Sequence, residues 1–196
     1  MNTVAFVSAV VIGCLLAETR VSRVHERRLR ERGAFAPSGD VYKVMAVLYP
    51  AAFVAMAAEG MWRAAHEPDA PTGGPSWFVS GVLLFLASKA LKYWAIATLG
   101  ERWCFRVLVL SGRPLVTAGP YRYVAHPNYI AVVGELVSTA MMMRAVVTGP
   151  MMIAAFGVTL WARIRIEQRA LREATALAAP RLRLRTQDSG PPDSGL

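Results

Sequence analysis

The sequence has few of the residues that build disulfides or metal sites. Among its 196 residues there are two cysteines and three histidines. Cys14 falls inside an apolar segment and Cys104 in a basic connection, so we expect neither a disulfide nor a zinc site. The histidines His25, His66 and His126 are far apart and have no acid or thiol at ligand spacing. Metal catalysis is therefore not expected.

Acidic residues are scarce compared with basic ones. The chain has 13 Asp and Glu against 22 Lys and Arg, which gives a net charge of +9. The basic residues stand beside long apolar runs and not on a separate polar domain. This pattern favours membrane lipids with anionic headgroups as partners, and it argues against nucleic acid.

The sequence is rich in long apolar runs. It is 55% hydrophobic with a mean hydropathy of +0.36, whereas soluble domains contain about 45 to 50% apolar residues even with glycine counted. A bilayer core of about 30 Å is crossed by roughly 20 helical residues. Five segments qualify, namely 3–17, 41–62, 77–99, 127–143 and 150–164. The sequence therefore predicts an all-α polytopic membrane protein with about five transmembrane helices.

The first segment is also compatible with a secretion signal, because residues 11–14 look like a lipoprotein cleavage box. Its start lacks Lys and Arg, however, and the apolar run continues to Ala17. Both features favour a membrane span.

The basic residues predict an orientation. Arginines are concentrated in 20–32, in 102–122 and in the tail after the fifth segment, while the connection 63–76 holds one arginine with two acids. By the positive-inside rule the N-terminus is outside and the C-terminus cytoplasmic. The fourth and fifth segments are separated only by 144–149, so we expect a tight helical hairpin. The expected location is a bacterial cytoplasmic membrane.

The first motif with possible chemistry precedes the fourth segment. Residues 119–123 read Gly-Pro-Tyr-Arg-Tyr, and 126–129 read His-Pro-Asn-Tyr. Proline suits the first position of a helix, which makes His126 its N-cap. The positive end of the helix dipole offers a place for the anionic group of a charged cofactor. The alternative is an ordinary loop entering a membrane helix, with tyrosines as interfacial anchors.

The second motif lies at the cytoplasmic end of the fifth segment. Arg163 and Glu167 are four residues apart and share a helix face. They either line a site at the membrane boundary or form a solvated ion pair worth about 0.3 to 0.5 kcal/mol.

Charged residues also fall within the apolar segments. Glu135 lies in the fourth segment, where an acid costs roughly 2.5 kcal/mol or more unless it meets a cavity or a partner, so it is a functional candidate. Lys89 and Lys92 are expected to extend their ammonium groups to the interface. Glu59 is close to the outer end of its segment and is interpreted in the same way.

The two motifs, in this order, resemble the isoprenylcysteine carboxyl methyltransferase family. The residues that carry the resemblance are 114–121, 126–129 and Arg163 with Glu167, within a match of roughly 91–171. The resemblance implies that residues 1–90 form helices that shape the binding site of the methyl acceptor and that 91–175 form the catalytic region. Residues 176–196 are expected to form a basic and then disordered tail. It also implies S-adenosyl-L-methionine as cofactor, bound by Arg106, Arg113, Pro114, Leu115, Val116, Tyr121, His126, Pro127, Asn128, Tyr129 and Glu167.

Two positions depart from the family pattern. Members usually carry Arg where this chain has Ala125, and a second Glu where it has Gln168. The first puts one cofactor contact in doubt, and the second removes a charge near Arg163. The stretches 91–95, 100–103 and 107–110 look closer to a bacterial subgroup associated with methylation of alkylpyrones and alkylresorcinols. An adjacent lipid or polyketide synthase is therefore a possible partner.

The chemistry implied is an in-line displacement that needs no metal. Arg163 is the catalytic and acceptor-binding candidate, because guanidinium matches a carboxylate in geometry and stays charged. His126 is a second catalytic candidate, as a base for a neutral hydroxyl. Glu135 is a candidate acceptor-binding residue. An acid at this place is also compatible with a phospholipid N-methyltransferase, whose acceptor is an amine. A reductase using a nicotinamide cofactor and a non-enzymatic scaffold or transporter are also compatible with the sequence.

Overall fold

Helices account for the secondary structure of the described part of the chain. The computed structural model describes residues 3–36, 39, 41–67, 74–108 and 116–188, with side chains in the last helix described only at 148–169 and at Arg172. The helices are α1 (Thr3–Glu31), α2 (Tyr42–His66), α3 (Pro75–Leu99), α4 (Pro127–Met143) and α5 (Thr148–Asp188). Short 3₁₀ turns cover Gly100–Arg102 and Gly119–Arg122. The described residues form no β-sheet, so the all-α prediction is confirmed.

Three of the helices are long and apolar enough to cross a membrane: α1, α2 and the stretch Pro75–Arg102 that contains α3. Their outward faces carry large apolar side chains such as Leu16, Val47, Val54 and Leu83, each more than 60% exposed. Exposed apolar surface of this extent is typical of a lipid-facing protein. The chain is an integral membrane protein. Membrane crossing by α4, with 17 residues, and by α5 stays a prediction, as does the orientation.

Helix α1 runs well beyond the predicted apolar segment. Residues 18–31 contain no proline or glycine, and the ion pairs Glu26–Arg30 and Arg27–Glu31 support the helix at i,i+4 spacing. Its buried residues follow one face, which begins with Val4, Val7 and Val11 and continues with Glu18, Ser22 and Leu29. The same face is therefore apolar at one end and partly polar at the other.

Helix α3 packs closely against α4, through small residues. Gly81 lies against Met142 and the carbonyl of Ser138, and Gly134 lies against Ser88. A side chain at either glycine would collide with the neighbouring helix. This contact fixes the position of α4, and with it the start of α4, where the first motif lies.

Glu59 has a more specific role than the expected interfacial one. Its carboxylate accepts the backbone N–H groups of Val147 at 3.0 Å and Thr148 at 2.7 Å, and the Thr148 hydroxyl at 2.6 Å. The first N–H groups of a helix have no partner within it, so Glu59 supplies one for the start of α5. Arg63 pairs with the same carboxylate at 3.0 Å.

The C-terminal part of the chain is partly described. Helix α5 continues to Asp188 and so includes the first residues of the stretch expected to be disordered. Residues 189–196 lie outside the described part, as do Arg113, Pro114 and Leu115 of the expected cofactor site.

Candidate functional site

Side chains from α4 and α5 meet through hydrogen bonds at the start of α4. Arg163 donates through Nε to the hydroxyl oxygen of Tyr129 at 2.9 Å. The same hydroxyl donates to Glu167 Oε2 at 2.7 Å. Tyr129 thus lies between the arginine and the glutamate that the sequence placed on one helix face. Arg163 is 6% exposed, so this is a buried polar group and not a solvated helix end.

His126 occupies the N-cap position and Pro127 the first position of α4, as predicted. The imidazole, however, makes no capping hydrogen bond. It stacks on the ring of Tyr129, with centroids 5.1 Å apart, and its Nδ1 lies 4.0 Å from Glu167 Oε2. The N–H groups of Tyr129 and Ile130 both donate to the carbonyl of His126. These two N–H groups are therefore already paired with a backbone carbonyl and do not serve the expected anion site, which stays a prediction.

Tyr121, in the turn before α4, lies near the same glutamate. Burial raises the pKa of the Tyr121 phenol to about 12, and the negative charge of Glu167 acts in the same direction. The hydroxyl therefore stays protonated at neutral pH and remains a hydrogen-bond donor. Tyr121, His126, Tyr129 and Glu167 form one group, which we call the Glu167 cluster.

The connection after α3 is held between α1 and α5. The Phe105 N–H donates to the Ser22 hydroxyl at 2.8 Å, and Arg163 Nη2 donates to the Phe105 carbonyl. His25 Nδ1 donates to the Trp103 carbonyl at 2.8 Å. Cys104 lies in this connection, and burial raises the pKa of its thiol to about 11.

Further expected cofactor residues lie on this connection or beyond it. Arg106 pairs with Glu26 of α1 at 3.2 Å and lies over the ring of Tyr42, 4.5 Å from its centre. Its contacts are therefore with α1 and α2. Val116 is half-buried. The Asn128 side-chain oxygen is 3.4 Å from the indole nitrogen of Trp103, a long hydrogen bond.

A cavity of about 240 Å³ lies next to Arg163. Its walls come from every helix and from the connection after α3; Met45, Tyr129, Val132 and Phe156 are among the lining residues. The α1 and α2 walls include Arg23 and Ala46, which are also exposed on the outer surface. The cavity therefore reaches the surface of the protein between α1 and α2.

Four charged residues form a buried group that we call the four-charge cluster. Lys92 Nζ lies 2.6 Å from Glu18 and 3.2 Å from Glu135, and Lys89 Nζ lies at the same two distances from the same acids. All four are less than 10% exposed. The expectation that the lysines extend to the interface is wrong, because two acids from other helices compensate their charges inside the bundle. Tyr49 completes the group by donating to Glu135 Oε2.

Glu18 lies just beyond the predicted first span, which ends at residue 17, so the sequence pattern did not identify it. A signal was present: α3 holds two lysines, and α4 and the continuation of α1 hold one acid each within or beside their apolar runs. Such charges are buried where they neutralise one another. The cluster also explains how Glu135 is accommodated inside the bundle, because its Oε2 accepts hydrogen bonds from Tyr49 and Lys92.

Comparisons with known proteins identify relatives of this chain. Residues 81–173 match the model of the isoprenylcysteine carboxyl methyltransferase family. "Uncharacterized protein YpbQ" of Bacillus subtilis is 30% identical over 84% of this chain and 94% of its own length. The cobalt-zinc-cadmium resistance protein CzcN of Cupriavidus metallidurans is 33% identical over 50% of this chain and 44% of its own. The nickel-cobalt-cadmium resistance protein NccN of Alcaligenes xylosoxydans is 30% identical over 51% and 47%.

No solved structure matches the chain. The family match includes α4, the Glu167 cluster, Arg163 and the two lysines of the four-charge cluster. The relative from Bacillus subtilis extends the similarity over most of the remaining helices. The chain belongs to the isoprenylcysteine carboxyl methyltransferase family.

Proposed function

We propose that this protein is an S-adenosyl-L-methionine-dependent O-methyltransferase of the membrane. Its acceptor is a lipophilic molecule with a carboxylate or an acidic hydroxyl, of the prenylcysteine or the alkylpyrone and alkylresorcinol type. The observation that carries the proposal is the position of Arg163, which joins the Glu167 cluster to the wall of the cavity. Family membership supports methyl transfer as the reaction class.

The side chains of the Glu167 cluster have hydrogen-bonding groups that match those of the cofactor. S-adenosyl-L-methionine carries an ammonium group, a carboxylate and ribose hydroxyls, and it supplies an electrophilic methyl group. The Glu167 carboxylate can accept from an ammonium or a hydroxyl, and the protonated phenol of Tyr121 can donate. The stacked rings of His126 and Tyr129 give this part of the site a fixed shape.

Arg163 is suited to hold an anionic acceptor. Its Nη1 lies 3.8 Å from the thioether sulfur of Met45, which lines the cavity. A thioether is a weak hydrogen-bond acceptor, whereas a carboxylate or phenolate oxygen forms a strong charge-assisted bond with guanidinium. An anionic acceptor in the cavity would therefore replace a weak contact with a strong one. Held in this way, its oxygen would need no separate base to displace the sulfur of the cofactor, which would leave as a neutral thioether, from the methyl carbon.

The location of the cavity supports entry of the acceptor from the lipid. The opening between α1 and α2 lies on faces with exposed apolar side chains. A long-chain molecule partitions into the bilayer with about 0.8 kcal/mol for each buried methylene. We place the Glu167 cluster at the cytoplasmic face, where the cofactor is available.

An amine acceptor is less well supported. Phospholipid N-methylation would use an acid beside the nucleophile, and Glu135 was the candidate for that acid. Two ammonium groups at 3.2 Å already compensate the Glu135 charge. The arginine at the cavity wall would repel a cationic headgroup. Both features favour the anionic acceptor.

The proposal is tested with purified protein and labelled cofactor. We expect labelled methyl on a prenylcysteine acid or an acidic alkylphenol, and none on phosphatidylethanolamine. The variant Arg163→Gln should lose most of this transfer, while Arg165→Gln, which alters an exposed arginine on the same helix, should keep it. Label only on the amine lipid, or full activity of Arg163→Gln, would contradict the proposal.

A further inference from the structure

The end of the cavity away from Arg163 also holds polar side chains. Tyr49 and Lys92 both line the cavity, and neither has a part in the transfer proposed above. The lining also includes the apolar side chains of Val132 and Phe156, and the Phe156 ring lies 5.4 Å from the ring of Tyr49. The cavity therefore has two polar ends, at Arg163 and at Tyr49, with apolar side chains beside them.

The hydrogen bonds of Tyr49 determine which group can meet it. Its hydroxyl donates to Glu135 Oε2, which also lies 3.2 Å from Lys92 Nζ. A tyrosine hydroxyl has one proton to donate and lone pairs with which to accept. Since the proton is directed at Glu135, the oxygen is left to accept. A ligand group that pairs with Tyr49 must then be a donor, such as a hydroxyl.

The spacing of the two polar ends limits the size of the ligand. Met45, which touches Arg163, and Tyr49 are four residues apart on α2, a rise of about 6 Å. Tyr129 and Glu135 are six residues apart on α4, a rise of about 9 Å. An apolar cavity of about 150 Å³ accommodates benzene, so about 240 Å³ holds a single substituted ring.

We propose that Tyr49 is a specificity-determining residue that accepts a hydrogen bond from a second hydroxyl of the acceptor. The acidic oxygen of the acceptor lies at Arg163, the hydroxyl reaches Tyr49, and the alkyl chain leaves through the opening between α1 and α2. The placement of the acidic oxygen rests on the proposed function. The Tyr49 subsite rests on the cavity and on the contacts of Tyr49 with Glu135.

A variant at Lys89 can distinguish this role of Tyr49 from a purely structural one. It belongs to the same four-charge cluster and pairs with Glu18 at 2.6 Å, but it lies near the rings of Phe85 and Tyr93. A change at Lys89 removes one positive charge from the cluster, as a change at Lys92 would. It leaves the hydroxyl of Tyr49 in place.

The test compares binding of three alkylphenols with the same alkyl chain to the full-length protein in detergent. One has a single ring hydroxyl, the second has two, and the third has the second hydroxyl converted to a methyl ether. The wild-type protein should bind the dihydroxy compound roughly five- to tenfold more tightly than either of the others, the worth of one hydrogen bond. Equal binding of all three, or tight binding of the ether, would overturn the proposal.

Variants then assign the preference to one residue. Tyr49→Phe should bind the three compounds equally, while Tyr93→Phe and Lys89→Met keep the preference even where they lower the melting temperature. A preference that survives in Tyr49→Phe would also overturn the proposal. Methyl transfer by the wild-type protein is measured in the same preparation. If the wild-type protein shows the binding preference but transfers no methyl group, the proposed function is contradicted and the Tyr49 subsite is not.

Discussion

Arg163 and Glu167, four residues apart on α5, are joined through a hydroxyl on another helix, that of Tyr129 on α4. The bridge ties the acceptor side of the site to its cofactor side. A change at Tyr129 should therefore affect both the acceptor side and the cofactor side. A change at Glu167 should affect mainly the cofactor side, and a change at Arg163 mainly the acceptor side.

Replacing Tyr129 by phenylalanine tests this bridge. The variant loses the hydroxyl but keeps the ring that stacks on His126. Because a hydrogen bond to a charged group is worth about 1.5 to 3 kcal/mol, methyl transfer should fall about 10- to 100-fold. Cofactor affinity should change less. Kinetics with labelled cofactor and calorimetry measure the two effects, and unchanged transfer would show that the bridge does not position Arg163.

Cofactor binding should depend on His126 and Glu167, which come from different helices. Alanine at Glu167 removes a carboxylate from the site, and alanine at His126 removes the ring packed on Tyr129. We expect about tenfold or greater loss of S-adenosyl-L-methionine affinity by calorimetry for Glu167→Ala, and a smaller loss for His126→Ala. Gln168→Ala, at an exposed neighbouring position, is the control. Wild-type affinity in both variants would remove the site assignment.

The four-charge cluster should be stable only as a neutral set. Glu135→Gln leaves two buried lysines with one carboxylate, and breaking a buried ion pair in this way costs about 3 to 5 kcal/mol. Adding Lys89→Met restores neutrality and should recover part of the loss. Thermal unfolding in detergent gives the comparison, and a double variant less stable than Glu135→Gln would contradict this account.

Cys104 should react slowly with alkylating reagents in the folded protein. Burial raises the pKa of its thiol to about 11, so the reactive thiolate is rare at pH 8. In a Cys14→Ser background, the alkylation rate should rise toward pH 11, whereas the unfolded protein reacts near pH 9. Since the folded pKa is the higher one, this group lowers folded stability as pH rises through that interval. An acceptor in the cavity should protect Cys104, which lines it.

The connection between α3 and α4 is predicted to face the cytoplasm. A reporter fused after Arg113 should then behave as internal, and one fused within the loop between α2 and α3 as external. The opposite result would overturn the orientation and the proposed route of the cofactor. The fusion sites lie outside the membrane-spanning stretches, so both fusions should insert.

The helices and the membrane class follow from the sequence because they depend on local patterns. Apolar runs predicted α1 to α3 within a few residues at most ends, and Pro127 marked the start of α4. The end of α1 was missed since the basic residues after Ala17 are good helix formers and nothing in them stops the helix. The motifs around His126 and Arg163 were enough to recognise the family.

The contacts between helices were decided by the tertiary structure alone. Glu18 and Lys89 are 71 residues apart in sequence, and no periodicity indicates that they meet. The sequence determined that charges occur in apolar helices. The packing of α1 and α3 on α4 determined that these charges neutralise one another instead of reaching the interface. In the same way, Arg163 and Glu167 were placed on one face by helical spacing. Only the packing of α4 on α5 brings the Tyr129 hydroxyl between them, because that position depends on how two helices fit together.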